Sequence, residues 1–293
     1  MTRRRFAFNR ETIQLDDSER ASIPGSFIKL TDGYTWYEQA GPINGKPVIF
    51  INGFSVPHYL WEHTFQPLAD AGFRTLRFDH FGRGWSDRPD VVYGPDLFDR
   101  QIVDLLQALH IETPVNLVGS SMGGLVASIF ANRHPDLVDR LALIDPAGMM
   151  NLPVYLQSLL LTPILGELIL ALSGHRTLPS GMAGDLLYPE RFPQYVSDYL
   201  PQMQIEGFRR AILSTLRTRI LFNSRSVYEQ LGQADIPTLL LWGRFDQTIP
   251  LTIGEEVHKL LPQANWRVIE DAGHVPHYER PELVNEMLIE FIK

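Results

Sequence analysis

Residues 115–124 carry an apolar run, Val115-Asn116-Leu117-Val118, straight into Gly119-Ser120-Ser121-Met122-Gly123-Gly124, and a helix-forming segment follows. A strand that turns so sharply into a helix forces its central residue into a strained backbone conformation. A side chain at either flanking position would collide with the crossing chain, which accounts for Gly119 and Gly123. The turn lifts the Ser121 hydroxyl out at the carboxyl end of a sheet and sets it at a helix N-terminus, where unpaired N–H groups stabilise negative charge. Residues 115–118 read as the buried strand, residues 125–131 as a small-faced helix, and His134-Pro135 as its stop. The context makes Ser121 a nucleophile rather than an ordinary turn residue.

The rest of the chain supplies the sheet that such a turn needs. Residues 27–30 and 34–39 alternate around Asp32-Gly33 as an opening hairpin, and Asn44-Gly45 turns into the continuous apolar run 47–51 of a central strand. Strands are predicted at 74–78, 141–144, 238–242 and 266–269, and helices at 97–109, 253–261 and 281–292. This alternation predicts an α/β fold, a mostly parallel central sheet with helices on both faces. Between residues 147 and 231 the pattern breaks into helical pieces punctuated by Pro153, Pro163, Pro179, Pro189, Pro193 and Pro201. The expected organisation is therefore a core of residues 1–146 and 232–293 with an inserted helical lid, 147–231, over the carboxyl edge of the sheet, where ligands bind in open α/β folds.

Composition narrows the partners. A formal charge of −8 excludes a phosphate backbone as the natural ligand, so a small, neutral or apolar molecule is expected and nucleic acid is not. The absence of cysteine excludes thiol catalysis, disulfides and cysteine-based zinc sites. Residues 154–172 are rich in Leu and Ile, but Gln157, Pro163 and Glu167 argue against a spanning helix; a lid core or a greasy pocket wall is the ordinary reading, with a weak membrane-surface contact as the alternative. Thr2-Arg3-Arg4-Arg5-Phe6 lacks the apolar stretch of an export signal, and a cytoplasmic protein is expected.

A serine hydroxyl needs an imidazole to take its proton and a carboxylate to hold that imidazole in the correct tautomer. Asp246 follows the strand at 238–242, and His274 follows the strand at 266–269 just before the last helix, so the order Ser121, Asp246, His274 suits this architecture. Asp145, at another strand end, is the substitute acid, in which case Asp246 only caps a turn; His277 is the nearest rival to His274, while His58 and His80 lie on loops within reach of a pocket. Asp79 precedes the serine and is read as organising the loop 78–84. The backbone N–H of Met122 and that of Phe54, with Gly53 permitting an unusual backbone, are the expected oxyanion donors. His274-x-x-His277 lacks a helix and a third ligand, so neither metal nor cofactor is expected.

Five ordered stretches, Asn52-Gly53-Phe54, residues 78–87, Gly119 to Gly124, Trp242-Gly243-Arg244-Phe245-Asp246 and residues 273–281, make the chain resemble the α/β-hydrolase superfamily over nearly its whole length. Asn52 stands where relatives usually carry His. The chain looks most like capped carboxylesterases and monoacylglycerol-lipase-like serine hydrolases, which implies ester cleavage through an acyl-enzyme. It is also similar to hydrolases that cleave carbon–carbon bonds in ring-opened aromatic degradation products, for which Arg191 or Arg209 would anchor an acidic substrate. A non-catalytic ligand receptor on the same fold is the third reading.

Overall fold

The structure is a computed structural model that describes residues 10–150 and 161–293. Eight strands form one sheet: β1 (Ser26–Lys29), β2 (Tyr34–Ala40), β3 (Pro47–Ile51), β4 (Arg74–Phe78), β5 (Val115–Ser120), β6 (Val138–Ile144), β7 (Thr238–Gly243) and β8 (Asn265–Ile269). Their spatial order is β1-β2-β4-β3-β5-β6-β7-β8. β1 and β2 are the predicted hairpin and β2 runs antiparallel to β4, whereas every pair from β4 to β8 is parallel. Ser121 thus leaves the carboxyl end of a strand with neighbours on both sides.

Residues in the central strands sort to two faces with period two, because successive side chains point opposite ways. Ile49 and Ile51 join Leu117, Leu143 and Leu240 on one face, against Phe98, Leu105 and Phe130. Val48 and Phe50 join Val118, Ala142 and Leu241 on the other, against Trp61 and Leu288. Both faces are covered, so β5 and β7 are buried along their whole length. This explains why β7 reads as a near-continuous apolar run rather than an alternating one, and why Asn116 within β5 is buried with its amide donating to the Pro47 carbonyl.

Several boundaries differ from the sequence expectation for identifiable reasons. The helix after the turn spans Met122–Arg133, since Gly123 and Gly124 are already helical, and the helix predicted at 97 starts two residues earlier with Pro95 in its first turn. Short helices at Asp17–Ser22 and Phe65–Asp70 were not predicted. The first is held by Asp16, whose carboxylate accepts from the N–H groups of Ser18 and Glu19.

Between β6 and β7 the described residues form helices, apart from one bridge of Ile205 with Ile13. Pro179 does not interrupt that stretch: it lies inside the helix Leu165–Gly184. It is half-buried, so water can satisfy the carbonyl it leaves without a helical donor. Along this helix Ile164, Leu168 and Leu172 are exposed, and only Gly166, Leu170 and Gly174 are buried. The apolar stripe at 164–172 therefore faces outward instead of forming lid core; residues 154–160 of the same apolar stretch lie outside the described residues. No helix among the described residues is long and apolar enough to cross a membrane.

Candidate active site

The turn at the end of β5 has the strain its sequence demands. Ser121 takes φ 55°, ψ −120°, and its N–H donates to the Ile144 carbonyl at 2.9 Å. A Cβ on Gly123 would stand 2.0 Å from the Ile51 carbonyl oxygen, and one on Gly119 would stand 2.4 Å from that of Gly123. Real Cβ atoms do not approach so closely, so only glycine lets the helix cross the sheet here. Met122 opens the helix, and its N–H has no acceptor among the described residues.

Asp246 sits in the turn after β7. Its Oδ1 accepts from the N–H groups of Thr248 and Ile249, both at 2.8 Å, and its Oδ2 lies 2.7 Å from Nδ1 of His274. Burial opposes a charge on His274, but Asp246 more than offsets it and the imidazole is pushed up to about 9. Ser121 and His274 line the same cavity, of about 100 Å³, under Met182, Asp185 and Tyr195 from the helical segment. Gly53, Phe54 and Val275 complete much of its floor.

Other sequence candidates stand elsewhere. His277 stacks on Trp61, neither of its ring nitrogens has a partner, and burial with the neighbouring His274 lowers it to about 3. His58 pairs through Nδ1 with Asp79 at 3.0 Å, and His80 Nε2 lies 3.2 Å from the Asn52 carbonyl. Asp79 also accepts from the N–H groups of His58 and Trp85, and thereby ties the loop after β4. Asp145 is fully buried behind Asp246 and accepts from the Gly243 N–H at 2.9 Å.

Gly53 departs from expectation. Its φ is not positive, and a Cβ there would meet Ser121 only in ordinary contact at 3.6 Å. The loop is shaped instead by Asn52, whose amide donates to the Phe78 carbonyl at 2.7 Å and accepts from Trp61 Nε1 at 2.8 Å. Asn52 thus ties the loop after β3 to the end of β4. Arg209 pairs with Glu11, and Arg191 lies over Tyr188; neither lines the cavity.

The atoms of Asp145, Asp246 and His274 that are able to ligate a metal come within 4.8 Å of one another. Asp246 spends both oxygens and Asp145 one on the donors just named, which leaves a single free oxygen, too few for a metal centre.

Sequence reasoning missed Glu279 and Asp185. Glu279 accepts from the N–H groups of Leu187 and Gly273 at 2.8 and 2.6 Å, and Asp185 accepts from Thr248 Oγ1 at 2.7 Å. The Asp185 carbonyl also accepts from the His274 N–H, and no spacing rule links residue 185 to residue 274, so only the three-dimensional fold reveals that contact.

A family model described as the alpha/beta hydrolase family matches residues 48–287. The AB hydrolase superfamily protein YisY of Bacillus subtilis is 26% identical over 271 residues, covering 91% of this chain and 98% of that protein. The 2-hydroxy-6-oxononadienedioate/2-hydroxy-6-oxononatrienedioate hydrolase of Paraburkholderia xenovorans is also 26% identical, over 91% of this chain and 94% of its own length. Among solved structures, a thermophilic esterase from Thermogutta terrifontis superposes with a TM-score of 0.76 at 24% identity, covering 92% of this chain and 98% of that one.

Proposed function

This chain belongs to the alpha/beta hydrolase family, and on that premise we propose that it is a serine hydrolase cleaving neutral carboxylic esters with an apolar acyl or alcohol part. Ser121 attacks the ester carbonyl while His274 takes its proton, and Asp246 orients the imidazole and stabilises the imidazolium that forms. The N–H groups of Met122 and Phe54 receive the developing oxyanion. His274 returns the proton to the leaving alkoxide, and water then repeats the sequence on the acyl-enzyme. The segment 147–231, whose described residues are mainly helical, acts as the lid that shields these steps from bulk water. No step calls for a metal or an organic cofactor.

The reading rests on one observation. Apart from His274 and Asp185 the cavity is lined, among the described residues, by uncharged, mostly apolar side chains, and no lysine or arginine among them lines it. An acidic substrate would meet the Asp185 carboxylate there, and the one cationic group lining the cavity, the His274 imidazolium, is already paired with Asp246. The Paraburkholderia relative favours a second reading, hydrolysis of a carbon–carbon bond in a dienol-type keto acid. Side-by-side turnover of p-nitrophenyl butyrate and of a 2-hydroxy-6-oxo-dienoate on one preparation separates the two. Ester hydrolysis faster by an order of magnitude or more is expected, and the reverse ranking overturns the ester assignment.

A further inference from the structure

Asp145 ends β6 with φ 45°, a backbone conformation that side-chain-bearing residues seldom adopt. It is fully buried. Its Oδ1 accepts from the Gly243 N–H, while its Oδ2 has no hydrogen-bond partner, and a carboxylate oxygen of Asp145 lies within 4.8 Å of a ligating atom of Asp246 and of His274. Asp246 is far better provided. It accepts two backbone N–H groups on one oxygen and faces the His274 imidazole with the other.

Two carboxyl groups so close in a buried site cannot both ionise cheaply, and the one with fewer donors keeps the proton. The other titratable groups around the pair do not change that order: Glu279 from the helix Pro276–Glu279 and Asp185 from the helical segment are acidic, and His274 is already engaged by Asp246. We propose that Asp145 is a neutral carboxylic acid that donates its Oδ2–H to Asp246, and so is a positioning residue for the acid–imidazole pair. A buried acceptor without a donor then becomes a satisfied donor. Burial and the charge of Asp246 raise the Asp145 carboxyl well above the usual carboxylate range, in the same direction.

The proton has a consequence for His274. A hydrogen bond from Asp145 withdraws electron density from Asp246 and weakens its hold on the Nδ1 proton, so the imidazole is less basic than it would be beside an unassisted carboxylate. That tuning role rests on the proposed triad. The location of the proton does not.

Infrared difference spectroscopy tests the location without turnover. The wild-type protein at neutral pH is expected to show a protonated-carboxyl C=O band that shifts in deuterium oxide and is lost in Asp145→Asn; if that variant loses no such band, the proposal fails. The pH dependence of kcat/KM tests the tuning. Asparagine keeps an N–H donor to Asp246 and is as neutral as the acid it replaces, so the acid limb of Asp145→Asn should stay within about 0.3 pH unit of wild type. Asp145→Leu removes the donor and should move the limb to higher pH by about half a unit or more. If Asp145 were ionised, Asp145→Asn would delete a negative charge and drop the limb by about a unit or more, which contradicts the proposal. An enzyme with the band but no ester hydrolysis would sink the function and leave the proton in place.

Discussion

The backbone N–H of His274 donates to the carbonyl oxygen of Asp185 at 2.7 Å. This bond joins the proposed base directly to the helical segment that roofs the cavity. Glu279 reinforces it by accepting from Leu187 in the roof and from Gly273 beside the histidine. Three hydrogen bonds therefore tie the roof and the histidine loop to each other.

Glu279→Ala tests that connection. It leaves the backbone N–H groups of Leu187, Tyr188 and Gly273 without their acceptor, at a cost of about 1–3 kcal/mol for each one that stays buried. Thermal denaturation should show a lower Tm, and kcat should fall by about tenfold to a hundredfold as His274 loses its anchor. An unchanged kcat alongside a lowered Tm would restrict Glu279 to a structural role.

The pH profile carries a sign that follows from His274. A general base must be neutral, and Asp246 holds the imidazole proton up to about 9. The rate kcat/KM should fall tenfold per unit as pH drops below that value, so that it is about a hundredfold below its plateau at pH 7. Stability runs the other way. A folded-state pKa raised above the ordinary histidine value of 6.5 stabilises the fold fully below about 6.5, and this contribution is lost as pH rises through about 9. Stopped-time ester assays from pH 5 to 10 check the kinetic limb, and denaturant midpoints over the same range check the stability.

The cavity sets the acyl length. About 100 Å³ beside Ser121 is small against ordinary ligand pockets of roughly 300–1,000 Å³, so short acyl groups should be preferred. Met182→Ala opens one wall from the roof side. A series of p-nitrophenyl esters should peak at short chains in the wild type and shift toward longer ones in the variant; a long-chain optimum in the wild type would contradict the reading.

The Ser121 turn was legible because steric conflict leaves few residue types at 119 and 123: with carbonyl oxygens at 2.0 and 2.4 Å, nothing larger than hydrogen fits. The central strands were legible because double burial leaves near-continuous apolar runs, as in β3 and β7. The short helices were not, since six residues such as Phe65–Asp70 carry too little periodicity to declare themselves. Pro179 misled for a related reason: a local break signal was overridden by the length of the helix around it. Gly53 misled differently, because its lack of a side chain suggested a strained backbone where the loop is in fact shaped by the Asn52 amide. The Leu187–Glu279 and His274–Asp185 contacts join residues about ninety positions apart, and no one-dimensional pattern encodes them.

Covalent labelling of Ser121 puts the whole account at risk in one step. Incubation with a fluorophosphonate, followed by peptide mass spectrometry and assay with p-nitrophenyl butyrate, should give a single adduct on Ser121 that rises as hydrolysis disappears, and Ser121→Ala should take no label and lose about 10⁴-fold or more in kcat. Labelling at another residue, or near-normal hydrolysis by Ser121→Ala, would contradict it.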